Sequence, residues 1–229
     1  MKKILCLILY ILLISPLNAK TEIDKAFKQR TPQDIIDKTF SLYSPDIYEG
    51  QKIREEQVFN KYGCKGQNIS PKLVWKNAPV NTKSFAITMF DPDANTKSGW
   101  WHWVIYNIPA NINKIEVGAN NNKKLMPKGS TEGTNDYGMS GFGGVCTPKG
   151  EKHNYVITIY ALDVEKLKLP KKPTSAMINL SINKHIIETA KINAFYERGV
   201  KKNSSNQTKF NFNSKTANKK VKKNVVVEE

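Results

Sequence analysis

Acidic residues are scarce in this chain of 229: 20 Asp and Glu stand against 36 Lys and Arg, leaving a formal charge of +16. The deficit favours anionic partners, whether nucleic acid, anionic lipid or a polyanionic wall. It says less about the folded part, because eight of the lysines fall between Lys201 and Lys223. Large apolar residues are few after Gly199, where Lys, Asn and Ser dominate. Such a segment buries too little to offset the entropy of ordering, so residues 200–229 read as a disordered basic tail. A solvated tail is the plainer reading, and a weak electrostatic tether to an anionic surface is the sharper one. Aromatics are nearly missing from it, Phe210 and Phe212 apart, which argues against a specific nucleic-acid partner. No internal repeat is present.

The apolar run from Ile4 to Leu17 is about 14 residues, short for a spanning helix. With Lys2 and Lys3 before it and Leu17-Asn18-Ala19 after it, residues 1–19 read as a signal peptide cut after Ala19. An uncleaved anchor is the alternative. Cys6 comes too early in the run for a lipoprotein cleavage site. The chain is therefore expected to be exported, periplasmic or secreted. Cysteine is also sparse, with three in all. Once Cys6 leaves with the leader, Cys64 and Cys146 remain in an oxidising compartment, and a disulfide between them is expected. Two buried free thiols are the alternative.

Residues 20–39 are charged, with scattered apolar positions, and read as an N-terminal arm. From Phe40 to Gly199 the texture is that of a mainly β domain. Leu73 to Trp75 is a short run. Ser84 to Phe90 is stronger: Phe85, Ile87 and Met89 face one way, Ala86, Thr88 and Phe90 the other. Trp101 to Ile108 and Tyr155 to Leu162 also carry apolar residues on both faces, as strands inside a covered sheet do. Short strands with long polar connections suggest a β-sandwich. Ile178, Ile182 and Ile186 repeat at helical spacing and predict a helix over Ser175 to Lys191, capped by Thr174 or Ser175 and enclosing His185. Lys191 to Tyr196 reads as a last strand.

Two segments carry candidate chemistry. In the first, Asp91 to Trp100 forms a loop between two strands, long for a compact domain. If those strands are antiparallel neighbours, Asp91 and His102 lie at the same end of the sheet. In the second, a glycine-rich run from Gly141 precedes His153 and Tyr155, which share a strand face. Imidazole and phenol groups donate hydrogen bonds, so Asp91, His102, His153 and Tyr155 around one hollow would suit a small anion. Asp91 would repel a phosphate; it would instead orient a histidine or accept an ammonium group. A structural histidine at a strand start and an ordinary Asp-Pro-Asp turn are the plainer readings.

Asp91-Pro92-Asp93-Ala94, Trp100-Trp101-His102 and Asn107-Ile108-Pro109 make up one block. Gly141 to Gly144, Pro148-Lys149-Gly150, His153-Asn154-Tyr155 and Tyr160-Ala161-Leu162 make up another, and Asn68-Ile69-Ser70-Pro71 stands upstream. Together they resemble the signature of the phosphatidylethanolamine-binding protein (PEBP) family, in its bacterial Raf-kinase-inhibitor-like branch, over residues 40–196. The resemblance implies an antiparallel β-sandwich of that type with one or two peripheral helices. It also implies a rim pocket for phosphate-like anions and phosphorylated head groups. By matched position the pocket takes Asp91, His102, His153 and Tyr155, with Trp100 and Pro148 as walls. Four positions depart from the pattern: Asn95, Val145 and Thr147 stand where prolines are usual, and Asn154 where an arginine is usual.

The expected function is a binding module for a phosphate-like anion, needing no cofactor and no metal. A hydrolase using the His/Asp pocket and a protease- or kinase-inhibitor-like partner-binding protein are the alternatives. The spacing from His102 to His153 matches no familiar metal-ligand motif. Gly138-Met139-Ser140-Gly141-Phe142 lacks the last glycine of the serine-hydrolase elbow.

Overall fold

In a computed structural model, residues 38–199 are described. The signal-peptide reading of residues 1–19, residues 20–37 of the expected arm and the expected tail at 200–229 lie outside the described residues. β1 (Ser41–Tyr43), β2 (Leu73–Lys76) and β5 (Lys114–Ile115) form a three-stranded sheet in the order β1-β2-β5. β3 (Ser84–Asp91), β4 (Trp100–Pro109), β6 (Thr131–Glu132), β7 (Lys152–Leu162) and β8 (Ile186–Glu197) form a five-stranded sheet in the order β6-β4-β3-β7-β8. Every pair of strands is antiparallel. Among the described residues there is one α-helix, α1 (Ser175–Asn183).

The period-2 alternation of β3 sorts its side chains between two cores. Phe85, Ile87 and Met89 meet Leu73 and Trp75 of β2 and Ile157 and Ile159 of β7, filling the space between the sheets. Trp75 packs edge-on to Phe85 with ring centroids 5.4 Å apart. Ala86 on the opposite face joins Val104, Leu162, Ile178 and Ile182 under α1. Burial on both faces is why β3, β4 and β7 read as nearly continuous apolar runs.

The helix ends earlier than its isoleucine stripe predicts. Thr174 caps it, its Oγ1 accepting the Met177 N–H at 3.2 Å. Ile178 and Ile182 are fully buried, and the chain then turns through Lys184 and His185. Ile186 opens β8, which pairs with β7 from Leu162 down to Lys152. Without that partner the outer side of β7 would leave a long row of unpaired backbone groups. Strand pairing therefore overrides the helical spacing of Ile186. His185 consequently sits in the turn rather than in the helix, with its Nδ1 2.9 Å from Asp163 Oδ1.

A disulfide joins Cys64 to Cys146 across 82 residues, tying the segment after the Glu55–Gln57 turn to the glycine-rich run. Replacing both cysteines by alanine should cost about 2–4 kcal/mol, because a long loop in the unfolded chain loses its constraint. Urea denaturation of the paired variant measures this.

Candidate functional site

Antiparallel pairing brings the site to one end of the large sheet. Asp91, the last residue of β3, pairs with Trp100, the first of β4, and the start of β7 lies on the other side of β3. Asp91 shares the odd-numbered face of Phe85, Ile87 and Met89, which points between the sheets. Simple alternation would send His102 to the opposite face with Val104. The ladder slips between Met89 and Phe90: Met89 pairs with Trp103 but Phe90 with Trp101. This β-bulge leaves His102 as the extra residue and turns it toward the inner side, a common use of bulges near sites.

The result is a cavity of about 340 Å³ lined by Asp91, Trp100, His102, Pro148 and His153, together with Tyr62, Ala94, Asn95, Thr96, Tyr137, Cys146 and Arg198. Tyr155 is not among the lining residues. Its ring stands edge-on to His102 at 5.2 Å, and its hydroxyl lies 2.8 Å from Thr147 Oγ1. The sequence alone does not mark Tyr62, Tyr137 or Arg198 as cavity residues. Arg198 had no visible signal, since its place depends on the end of β8 lying beside Gly150 and Glu151. There the Gly150 N–H donates to the Arg198 carbonyl and the Arg198 N–H to that of Glu151. The arginine side chain rests against the disulfide sulfurs.

The two cavity histidines are held in different ways. His153 is buried between two carboxylates, with Nδ1 2.8 Å from Asp91 Oδ2 and Nε2 3.0 Å from Glu151 Oε2. Asn95 Nδ2 donates to the same Glu151 oxygen at 3.3 Å. The His102 Nδ1 lies 2.8 Å from the carbonyl of Gly143 and 3.1 Å from that of Gly144. Carbonyls only accept, so this nitrogen carries the proton and donates. The free Nε2 of the neutral ring is then an acceptor, not the donor that sequence reasoning supposes. Gly144 permits the close approach: a Cβ there would come within 2.4 Å of the Gln57 carbonyl oxygen.

The model of the family described as phosphatidylethanolamine-binding protein matches residues 44–197. The chain belongs to the phosphatidylethanolamine-binding protein family. It is 42% identical over 161 residues to the UPF0098 protein YbcL of Escherichia coli (strain K12), covering 69% of this chain and 87% of that protein. With YbhB of the same strain it shares 40% identity over 155 residues, 68% of this chain and 98% of the relative. The crystal structure of E. coli YbcL, described as a new member of the mammalian PEBP family, superposes with a TM-score of 0.67 at 41% identity, covering 69% of this chain and 98% of that one. The putative PEBP homolog CT736 from Chlamydia trachomatis gives 0.59 at 28% identity, over 70% and 99% of the two chains.

Within this PEBP chain the four departures from the family pattern have physical roles. The Val145 N–H donates to the Gln57 carbonyl at 3.1 Å, a bond that proline could not make. Thr147 is buried and bridges Tyr155 to the Tyr196 carbonyl. Asn95 binds Glu151 at the cavity edge. Asn154 sits on the outer face, where its backbone N–H and Nδ2 both donate to Asp93 Oδ2.

Electrostatics separate the two imidazoles. Burial pushes His102 below the ordinary 6.5, against the weaker pull of the Gly143 carbonyl and Asp91. Burial also opposes charge on His153, but the hydrogen bonds to Asp91 and Glu151 outweigh it and raise its value above 6.5. Charged His153 contributes stability that is complete below about pH 6.5 and is lost as pH rises through the raised folded value. His102 acts with the opposite sign: its contribution is present above about pH 6.5 and is lost as pH falls through the lowered folded value. Desolvation raises the Tyr155 and Tyr137 phenols far above their ordinary range, so both stay neutral.

An NMR titration should place His153 above 6.5 and His102 below it, and Glu151→Gln should lower the His153 midpoint by neutralising one of its partners. Thr147→Val should cost about 1–3 kcal/mol in urea denaturation, because it removes the buried hydroxyl that bonds Tyr155 and the Tyr196 carbonyl.

Proposed function

We propose that this chain is a non-enzymatic binding protein whose cavity takes a small phosphate-like anion or a phosphorylated head group. The observation that carries this reading is a pair of buried N–H donors without partners, Trp100 Nε1 and Arg198 Nε, both on residues that line the cavity. Leaving a buried donor unpaired costs about 1–3 kcal/mol, so an acceptor oxygen arriving there recovers energy. Arg198 adds a permanent positive charge suited to an oxyanion. The family's name, phosphatidylethanolamine-binding protein, supports a phosphorylated ligand.

A hydrolase reading would draw on the buried Asp91–His153 hydrogen bond, which resembles an orienting carboxylate and its base. The second nitrogen of that base is already held by Glu151, and the sulfur of Cys146 is bonded to Cys64 rather than free as a thiolate. Binding therefore fits the arrangement better than turnover. We further propose export to the periplasm or beyond, supported by the leader-like residues 1–19 and by a disulfide of the kind that persists in oxidising compartments.

Calorimetry with inorganic phosphate and with phosphoethanolamine should give dissociation constants roughly between micromolar and millimolar, since a small anion offers few contacts. Arg198→Gln should weaken both by about tenfold or more without moving the thermal midpoint much, as a charge-assisted hydrogen bond is lost. No heat with either ligand for the wild-type protein would overturn the proposal.

A further inference from the structure

The cavity presents both hydrogen-bond donors and hydrogen-bond acceptors, and the acceptors narrow the choice of ligand. The proton of His102 is committed to Nδ1 by the carbonyls of Gly143 and Gly144. Those carbonyls are themselves fixed. The Gly143 N–H donates back to the His102 carbonyl at 2.8 Å, and the Gly144 N–H to Asn68 Oδ1 at 2.7 Å. Tyr137 also donates its hydroxyl to the Gly144 oxygen at 3.1 Å. The ring therefore cannot turn over without breaking this set, which leaves Nε2, the opposite nitrogen of a residue that lines the cavity, with a lone pair. Both hydrogen bonds of the ring are made at Nδ1 and none at Nε2. Asp91, a carboxylate, lines the same wall.

Burial keeps the His102 ring neutral. Asp91, Asp136, Tyr137 and Tyr155 stand nearest to it, and His153, Arg198 and Tyr62 line the same cavity; the two carboxylates pull toward protonation but are outweighed by burial. An oxyanion made only of acceptors would set its lone pairs against Nε2 and Asp91. An oxyanion that keeps one O–H could donate that proton to Nε2 while its other oxygens accept from Trp100 and Arg198.

We infer that the cavity selects a proton-bearing oxyanion, hydrogen phosphate or a phosphomonoester in its monoanionic form, over sulfate and over phosphodiesters. The inference rests on the anion reading above and names the ligand class within it. Rejection follows from general physics: a site built to hydrogen-bond a ligand O–H excludes analogues that lack it, because its own polar group is left unpaired.

The test is calorimetry on the full chain at about pH 7 and constant ionic strength, with inorganic phosphate, sulfate and dimethyl phosphate as ligands. Sulfate matches phosphate in shape but has no proton to donate at this pH. Dimethyl phosphate represents the diester of an intact lipid, against the free phosphate. Phosphate should bind, with sulfate and dimethyl phosphate at least about tenfold weaker. Sulfate or dimethyl phosphate binding as tightly as phosphate would overturn the proton requirement and leave the anion cavity standing. No heat from any of the three would overturn both.

Discussion

The hydrogen bonds from His102 Nδ1 to the carbonyls of Gly143 and Gly144 join the end of the large sheet to the glycine-rich segment. That junction closes one side of the cavity, settles which nitrogen of His102 carries its proton, and brings Tyr137 to the wall. It depends in turn on the bulge in β4, which turns a buried imidazole toward the space between the sheets. It also depends on glycine at 144, where any side chain would collide with the backbone of Gln57 and Phe59. The backbone of one segment and the side chain of another are thus fitted to each other, and neither has a reason for its position alone.

Charge is arranged around this junction in two opposed ways. His102, surrounded by aromatic rings and carbonyls, is kept neutral by desolvation. His153 is as little exposed to solvent but lies between Asp91 and Glu151, whose hydrogen bonds favour its protonated form. Two like residues at one cavity are therefore biased toward opposite protonation states. Arg198 supplies a positive charge from the far end of the described chain. Asp91 serves the histidine as an acceptor, and its own backbone turn is closed by the Asp93 N–H at 2.9 Å from Asp91 Oδ1.

The positions that depart from the usual family pattern are used structurally. Where prolines would have stiffened the segment around Cys146, Val145 contributes a backbone hydrogen bond and Thr147 a buried hydroxyl. The disulfide constrains the same segment and supports the Arg198 guanidinium. The rim keeps its order by hydrogen bonds and a covalent link instead of by ring-restricted backbone.

The apolar alternation of Phe85, Ile87 and Met89 against Ala86 and Thr88 determined the two buried faces of β3 from local pattern alone, because strand periodicity is a property of the backbone. The paired motifs around Asp91, His102 and His153 likewise carried the family, since those residues occupy fixed distances along strands. Other features depended on partners distant in the chain. The helical stripe ending at Ile186 yielded to pairing with β7, and the phenol of Tyr155 was taken by Thr147. The tautomer of His102 followed from two carbonyls more than forty residues away. Arg198, Tyr62 and Tyr137 entered the cavity wall only through tertiary packing. The sequence by itself determined β2, β3, β4 and β7 and the family, because both are written in short-range order. Only the tertiary structure decided which side-chain atoms give and which accept, because a hydrogen bond is defined by the partner that folding brings to it.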